Sequence, residues 1–350
     1  MEDKLNVGIT HGDINGISYE IIIKALLDPM VNELFTPVVY GSGKAASYHR
    51  KVLGINDFSF NIINPGGAYN YKLPNLVNVI EGEPAIELGK STPEAGAAAV
   101  KALEAATADL FDEKIDVLVT APFNKANIQS ESFKYPGHTE YLADKADVKD
   151  YLMLLVSDTL RVGTVTGHLP LKDVSANLTT EKILAKIKVL HKSLQYDFGV
   201  RKPKIAVLGL NPHAGDSGLL GSEEETIIKP AVEAANKLGI VAYGPYGADG
   251  FFGSGLYKQF DGILAMYHDQ GLVPFKTLAF HSGVNFTAGL PFVRTSPDHG
   301  TGYDIAGKNE ASEESLRAAI YLAIDIYKKR LEYTEINSNP LAFTKLAKER

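Results

Sequence analysis

The stretch Lys204-Ile205-Ala206-Val207-Leu208-Gly209-Leu210-Asn211-Pro212-His213-Ala214-Gly215 decides the fold. An apolar, β-branched run stops at a turn, and the turn carries a histidine. The arrangement recurs twice: Arg161 to Val165 leads into Thr166-Gly167-His168, and Gly262 to Met266 leads into Tyr267-His268-Asp269-Gln270-Gly271. In an open α/β sheet, ligands gather outside the carboxyl ends of the strands. Three imidazoles at three strand ends are therefore candidate ligands of one metal ion. Three protein ligands with an open fourth position are the usual arrangement of a catalytic rather than a structural site. The alternative is that each is a hydrogen-bonded structural histidine, since spacings of 45 and 55 residues match no compact metal motif.

Working outward, strand-like and helix-like segments alternate along the whole chain, which predicts an α/β fold with a mostly parallel sheet. Strands are expected at Leu5 to Thr10, Thr36 to Tyr40, Asp116 to Thr120, Tyr151 to Val156, Val162 to Thr166, Lys204 to Leu210, Gly262 to Met266 and Val284 to Ala288. Apolar residues at three- and four-residue intervals predict helices over Pro93 to Phe111, Thr180 to Leu194, Ser222 to Leu238 and Ser312 to Lys329. Ser222, with Glu225 three residues on, and Ser312 are the expected N-caps.

Composition narrows the function. At 350 residues the chain can bury a sizeable core in two α/β domains or one large one. Zero cysteines exclude thiolate catalysis and cysteine-bound zinc, so any metal must use nitrogen and oxygen ligands. A net charge of −7 argues against nucleic acid as the main partner, and no apolar stretch approaches the ~20 residues of a membrane span. Met1 to Lys4 run directly into the first strand-like segment, which with the lack of cysteine predicts a cytoplasmic protein.

Phosphate signals are local. Gly41-Ser42-Gly43-Lys44-Ala45-Ala46 matches Gly-x-Gly-x-x-Ala, but it follows the second strand rather than the first, so it is set aside as a dinucleotide site. Gly12-Asp13-Ile14-Asn15-Gly16 joins the first strand to the first helix. Gly137-His138-Thr139-Glu140 opens a helix, where free amides either hold an anion or are capped by the threonine.

His299-Gly300-Thr301, followed by Asp304-Ile305-Ala306-Gly307, resembles the adenosine-side loop of isocitrate and isopropylmalate dehydrogenases, which bind NAD(P) without a Rossmann fingerprint. Together with Pro136 to Glu140, Gly209 to Gly215, Ala265 to Gly271 and Gly289 to Ser296, it makes the chain similar to the 4-hydroxythreonine-4-phosphate dehydrogenase family from about Asn6 to about Tyr327. The resemblance implies two α/β/α domains with a cleft between them, residues 1–137 plus 270–350 forming the first and 138–269 the second. It assigns a divalent metal (zinc, cobalt, manganese or magnesium) to His168, His213 and His268. Substrate contacts fall on His138, Thr139, Lys276, Asn285 and Arg294. Asp249, Asp269 and Lys125 are candidates for support or proton transfer, and His299, Gly300, Thr301, Asp304 and Ala306 for NAD or NADP. It also implies a homodimer with shared active sites.

The implied reaction is oxidation of 4-phosphooxy-L-threonine to a β-keto acid that loses CO2, in pyridoxal phosphate biosynthesis. Alternatives are a dehydrogenase of threonate or erythronate 4-phosphate, and a metal-dependent hydrolase. The chain departs from the family at its amino end, where Thr10-His11-Gly12-Asp13-Ile14-Asn15-Gly16-Ile17-Ser18-Tyr19-Glu20 replaces Thr-Pro-Gly-Glu-Pro-Ala-Gly-Ile-Gly-Pro-Glu. A second departure is Gly250, where a threonine commonly follows the acid matched by Asp249.

Overall fold

A computed structural model describes residues 4–130, 133–280 and 282–339. Their strands are β1 (Asn6–Thr10), β2 (Thr36–Gly41), β3 (Asn61–Ile63), β4 (Asn75–Asn78), β5 (Val117–Thr120), β6 (Leu152–Val156), β7 (Arg161–Thr164), β8 (Lys204–Leu208), β9 (Val241–Tyr246), β10 (Gly262–Ala265), β11 (Val284–Ala288) and β12 (Val293–Pro297). All lie in one sheet of order β3-β4-β2-β1-β5-β12-β11-β6-β7-β10-β8-β9. From β3 to β12 neighbours are parallel. β11 is antiparallel to β12 and β6, and β6 to β7, after which β7, β10, β8 and β9 are parallel again. The two parallel halves therefore run in opposite directions, with β11 and β6 as the seam.

Side-chain alternation sorts the core onto the two faces of this sheet. On one face Val7, Ile9, Val117, Val119, Val293, Phe286, Leu154, Leu264 and Val207 belong to a single buried cluster that spans both halves. Helices Ser18–Ala25, Thr180–Tyr196 and Glu314–Asn337 complete it. The other face carries two separate clusters. Val38, Tyr40 and Leu118 lie under helix Pro93–Phe111 in one half. Leu155, Ala206 and Ile263 lie under helix His268–Ala279 in the other. The gap between these clusters, over β12, β11, β6 and β7, is where polar side chains occupy the sheet face.

All eight strands expected from the sequence form, within two residues at each end. Four were not anticipated. β3 and β4 are short, and β9 and β12 carry prolines and glycine that read as loop. The helix expected from Ser222 instead begins as a π-turn, Glu224–Ile228, before the α-helix Lys229–Lys237, and Ser222 provides no side-chain cap. The reason lies at Glu224. Its buried carboxylate turns inward to accept the backbone N–H groups of Leu210 and Asn211, both at 2.7 Å, and so fastens the end of β8. Ser312 Oγ accepts from Glu314 N at 3.2 Å, just ahead of the last helix.

Candidate active site

The gap in the core is a cavity of about 680 Å³. Its floor is polar because consecutive strands place Arg294 and Ser296 (β12), Asn285 and Thr287 (β11) and Thr164 (β7) on the same face. Arg294 is almost fully buried and, among the described residues, is held by hydroxyls alone. Its Nε and Nη2 donate to Thr120 Oγ1 at 3.0 and 2.5 Å, and its Nη1 to Thr287 Oγ1 at 3.3 Å and Thr139 Oγ1 at 3.4 Å. Burial pushes its pKa down to about 10, so the group stays cationic at neutral pH without a carboxylate bonded to it. Beside it, Asn285 Oδ1 is buried with no partner within the described residues. Glu140 lies in the same cavity and only partly offsets the Arg294 charge. A buried cation with no carboxylate bonded to it among the described residues, beside an unsatisfied amide, is a site incomplete without an anionic, hydrogen-bonding ligand.

One wall is the start of helix His138–Lys145. The His138 ring stacks on Phe123 with centroids 3.6 Å apart. Desolvation, then the nearby Arg294 and Lys125, drive its pKa well below the ordinary value, which keeps the imidazole neutral. The opposite wall holds Lys276, whose Nζ donates to the carbonyl of Asp298 at 3.1 Å and lies 3.4 Å from its carboxylate.

The histidine phrases leave three adjacent strands, β7, β10 and β8, at the same edge. His168 lines the cavity, and its ring lies 5.5 Å from that of His268. That is about the separation expected when two imidazoles share a tetrahedral ion at ~2.1 Å from each ring nitrogen. Desolvation, then Lys125 and His268, lower the His168 pKa, favouring the neutral, ligating form. Lys125 Nζ stands 3.4 Å from His168 Nε2. Asp269 Oδ1 bonds His268 Nδ1 at 2.7 Å, which leaves Nε2 for a ligand.

His213 stands apart. It begins a run of five residues, His213 to Ser217, with left-handed backbone, near Gly247 and exposed Asp249. Among the described residues, no three histidine, aspartate or glutamate side chains of one chain gather closely enough to hold an ion. The donor chemistry fits a divalent transition metal, but one chain brings together two of the three imidazoles.

His299 and Gly300 line the far end of the cavity. His299 Nδ1 contacts the Gly300 carbonyl at 3.0 Å, while Nε2 is buried and without a partner among the described residues. Thr301, Asp304 and Ala306 continue this loop outside the cavity lining, with Asp304 exposed. The amino-terminal turn supports the loop from beneath. Ile17 N donates to the Thr301 carbonyl at 2.9 Å, and Tyr303 Oη to Asp13 Oδ2 at 2.7 Å. Gly12 has φ +65°, and a side chain there would collide with the Pro122 carbonyl. The departures from the family pattern therefore sit under the loop rather than on the cavity floor. The Gly41 to Ala46 segment caps its own helix through Ser42 Oγ and contributes nothing to this cavity.

The sequence model of the pyridoxal phosphate biosynthetic protein PdxA family matches residues 33–323. The chain belongs to the PdxA family. A member from Bacteroides thetaiotaomicron, named 4-hydroxythreonine-4-phosphate dehydrogenase, is 52% identical over 97% of this chain and 93% of its own length. One of the same name from Sulfurihydrogenibium is 44% identical over 91% of this chain and 98% of its own. The crystal structure of the Klebsiella pneumoniae 4-hydroxythreonine-4-phosphate dehydrogenase superposes with a TM-score of 0.81 at 35% identity, covering 93% of this chain and all of that one. This PdxA-family cavity also uses residues that sequence reasoning passed over. Thr120 and Thr287 hold Arg294, Phe123 stacks on His138, and Lys182 and Lys186 line the rim. Thr120 ends a predicted strand at its carboxyl edge, a usable signal. The two lysines read as an ordinary solvated helix face.

Proposed function

We propose that this dehydrogenase-family enzyme oxidises 4-phosphooxy-L-threonine with NAD or NADP, giving a β-keto acid that loses CO2 to 3-amino-2-oxopropyl phosphate, in pyridoxal phosphate biosynthesis. The observation that carries the reading is Arg294, a buried guanidinium that among the described residues is bonded only to hydroxyls, beside an Asn285 amide oxygen with no partner there. Together with Lys276, His138 and Thr139 it offers charge-assisted and neutral donors to a phosphate. His138, kept neutral, donates or accepts a hydrogen bond without adding charge. The His299 to Ala306 loop holds the dinucleotide, with the unpartnered His299 Nε2 as its anchor in the cavity.

A divalent ion held by His168, His213 and His268 would supply positive charge at the substrate hydroxyl and at the ketone oxygen that replaces it. Lys125, whose Nζ stands 3.4 Å from His168 Nε2, and Asp249 are the candidates for handling the hydroxyl proton or supporting the site. Asp269 fixes the His268 ring, and Asp249 supports His213. We assign residues 1–137 with 270–350 to one domain and 138–269 to the other, a division supported by the antiparallel pairing of β11 with β6 between the two parallel halves of the sheet. A second copy of the chain completes the histidine trio. Exposed Leu169, Leu171, Leu219 and Leu220, which flank the His168 and His213 phrases, are the apolar surface for it.

The test follows absorbance at the NADH band with purified protein, NAD, a divalent metal and 4-phosphooxy-L-threonine. Threonate and erythronate 4-phosphates and a His213→Ala variant run in parallel. A metal-dependent rise with the amino substrate, lost in the variant, is the expected result. A rise with the sugar-acid phosphates alone would replace the substrate, and no rise with any would overturn the dehydrogenase reading for these compounds.

A further inference from the structure

Lys182 and Lys186 lie one turn apart on helix Thr180–Tyr196 and both line the cavity. Lys186 is half-buried, donates to the Tyr151 carbonyl and sits 5.1 Å from the Tyr151 ring centroid. Lys182 donates to the Asn177 carbonyl at 3.1 Å. Among the described residues neither forms a close ion pair with a carboxylate, and burial of Lys186 lowers its pKa although Asp150 works in the opposite direction, so its charge is only partly compensated. The cavity wall as a whole carries Lys125, Lys182, Lys186, Lys276 and Arg294 against Glu140 and Asp298. Asp298 is already engaged by Lys276. That excess of cations suits a ligand with more than one anionic group.

Position separates the lysine pair from the Arg294 region. By the register of β12 and β11, Arg294 faces Thr287, which pairs with Met153 on β6, while Tyr151, whose carbonyl holds Lys186, precedes the first residue of that strand. Two residues along the strand and two strands across place the two backbone points about 12 Å apart. An extended four-carbon chain with a phosphate at one end and a carboxylate at the other measures about 6 Å between its charged centres, and hydrogen bonds add ~3 Å at each end. We propose that Lys186, with Lys182 beside it, is a second anion seat of this cavity and takes the carboxylate end of a substrate whose phosphate lies at Arg294. This inference rests on the phosphate reading given above, and it makes the lysine pair substrate-binding residues that select for a carboxylate.

The test is calorimetric titration of the full chain with two ligands: 4-phosphooxy-L-threonine, anionic at both ends, and glycerol 3-phosphate, which has no carboxylate. In Lys186→Met, and further in the double variant with Lys182→Met, the dissociation constant for the first ligand rises about 10- to 100-fold, the loss expected for a charge-assisted bond. That for glycerol 3-phosphate stays within about twofold, and Lys186→Arg retains most of the affinity for both. Equal weakening of both ligands, or no change in either, overturns the proposal while leaving the phosphate reading intact. If the wild-type chain binds neither ligand, the phosphate reading fails and the proposal falls with it. An Arg294→Met control should weaken both ligands together.

Discussion

Arg294 is a liability to the folded chain until a ligand arrives, because its charge is buried against hydroxyls that only partly replace water. Arg294→Met is therefore expected to leave the melting temperature unchanged or raise it, while KM for the phosphorylated substrate rises at least ~100-fold. Thermal unfolding and initial rates measured on the same preparation check both halves. A second residue-scale prediction concerns His11 and His49, each stacked on Tyr19 and bonded to a backbone carbonyl. Burial pushes both pKa values down to about 4. A depressed histidine pKa contributes stability above the unfolded value near 6.5, and that contribution is lost as pH falls toward 4. Between pH 7 and 5 each histidine should cost roughly 2 kcal/mol, and His11→Phe should flatten the fall in urea-unfolding stability over that window. At this scale the sequence was most readable where a residue type has few uses: His168, Asn285 and Arg294 all reach the cavity. Lys182 and Lys186 were unreadable, because lysines on an amphipathic helix look alike whether they face water or a pocket.

Elements were legible in proportion to their periodicity. Helix Pro93–Phe111 has the bounds expected, since Thr92 caps it, Pro93 opens it and its alanine-rich face repeats regularly. β12 escaped because Val293-Arg294-Thr295-Ser296-Pro297 offers one apolar residue in five and ends in proline, although it lies inside the sheet between β5 and β11. Its burial is supplied by β5, distant in sequence, and by the next element along the chain, helix Glu314–Asn337, whose Ala319 carbonyl accepts from Thr295 Oγ1 at 2.8 Å. The His299 to Gly307 loop behaves as an element too, because it rests on the altered amino-terminal turn. Tyr303→Phe removes the bond to buried Asp13 and should raise KM for the dinucleotide by about 3- to 30-fold with little change in substrate KM, read from paired kinetic titrations. A change confined to kcat would argue against the loop as the cofactor's support.

For the molecule as a whole, the three histidine-bearing strand ends were visible in the sequence, but the adjacency of their strands and the separation of His213 were not. Five consecutive left-handed residues, only one of them glycine, leave no pattern that periodicity detects. If a second copy closes the site, His168→Ala and His213→Ala should each be inactive alone. After subunit exchange their mixture should recover up to about a quarter of wild-type activity, since half of the dimers are mixed and each holds one intact site. Sedimentation run alongside the assay would show whether the exchanged species is a dimer. The sheet order has a further consequence during synthesis. β5 emerges with Val117, Leu118 and Val119, yet the strand that covers its free edge, β12, begins at Val293. At ~5–20 residues per second the ribosome takes roughly 10–35 s to make the intervening chain. For that time the nascent protein carries an apolar, unpaired edge open to pairing with a neighbouring chain, so its yield in the cell depends on how crowded the polysome is and on what shields that edge meanwhile.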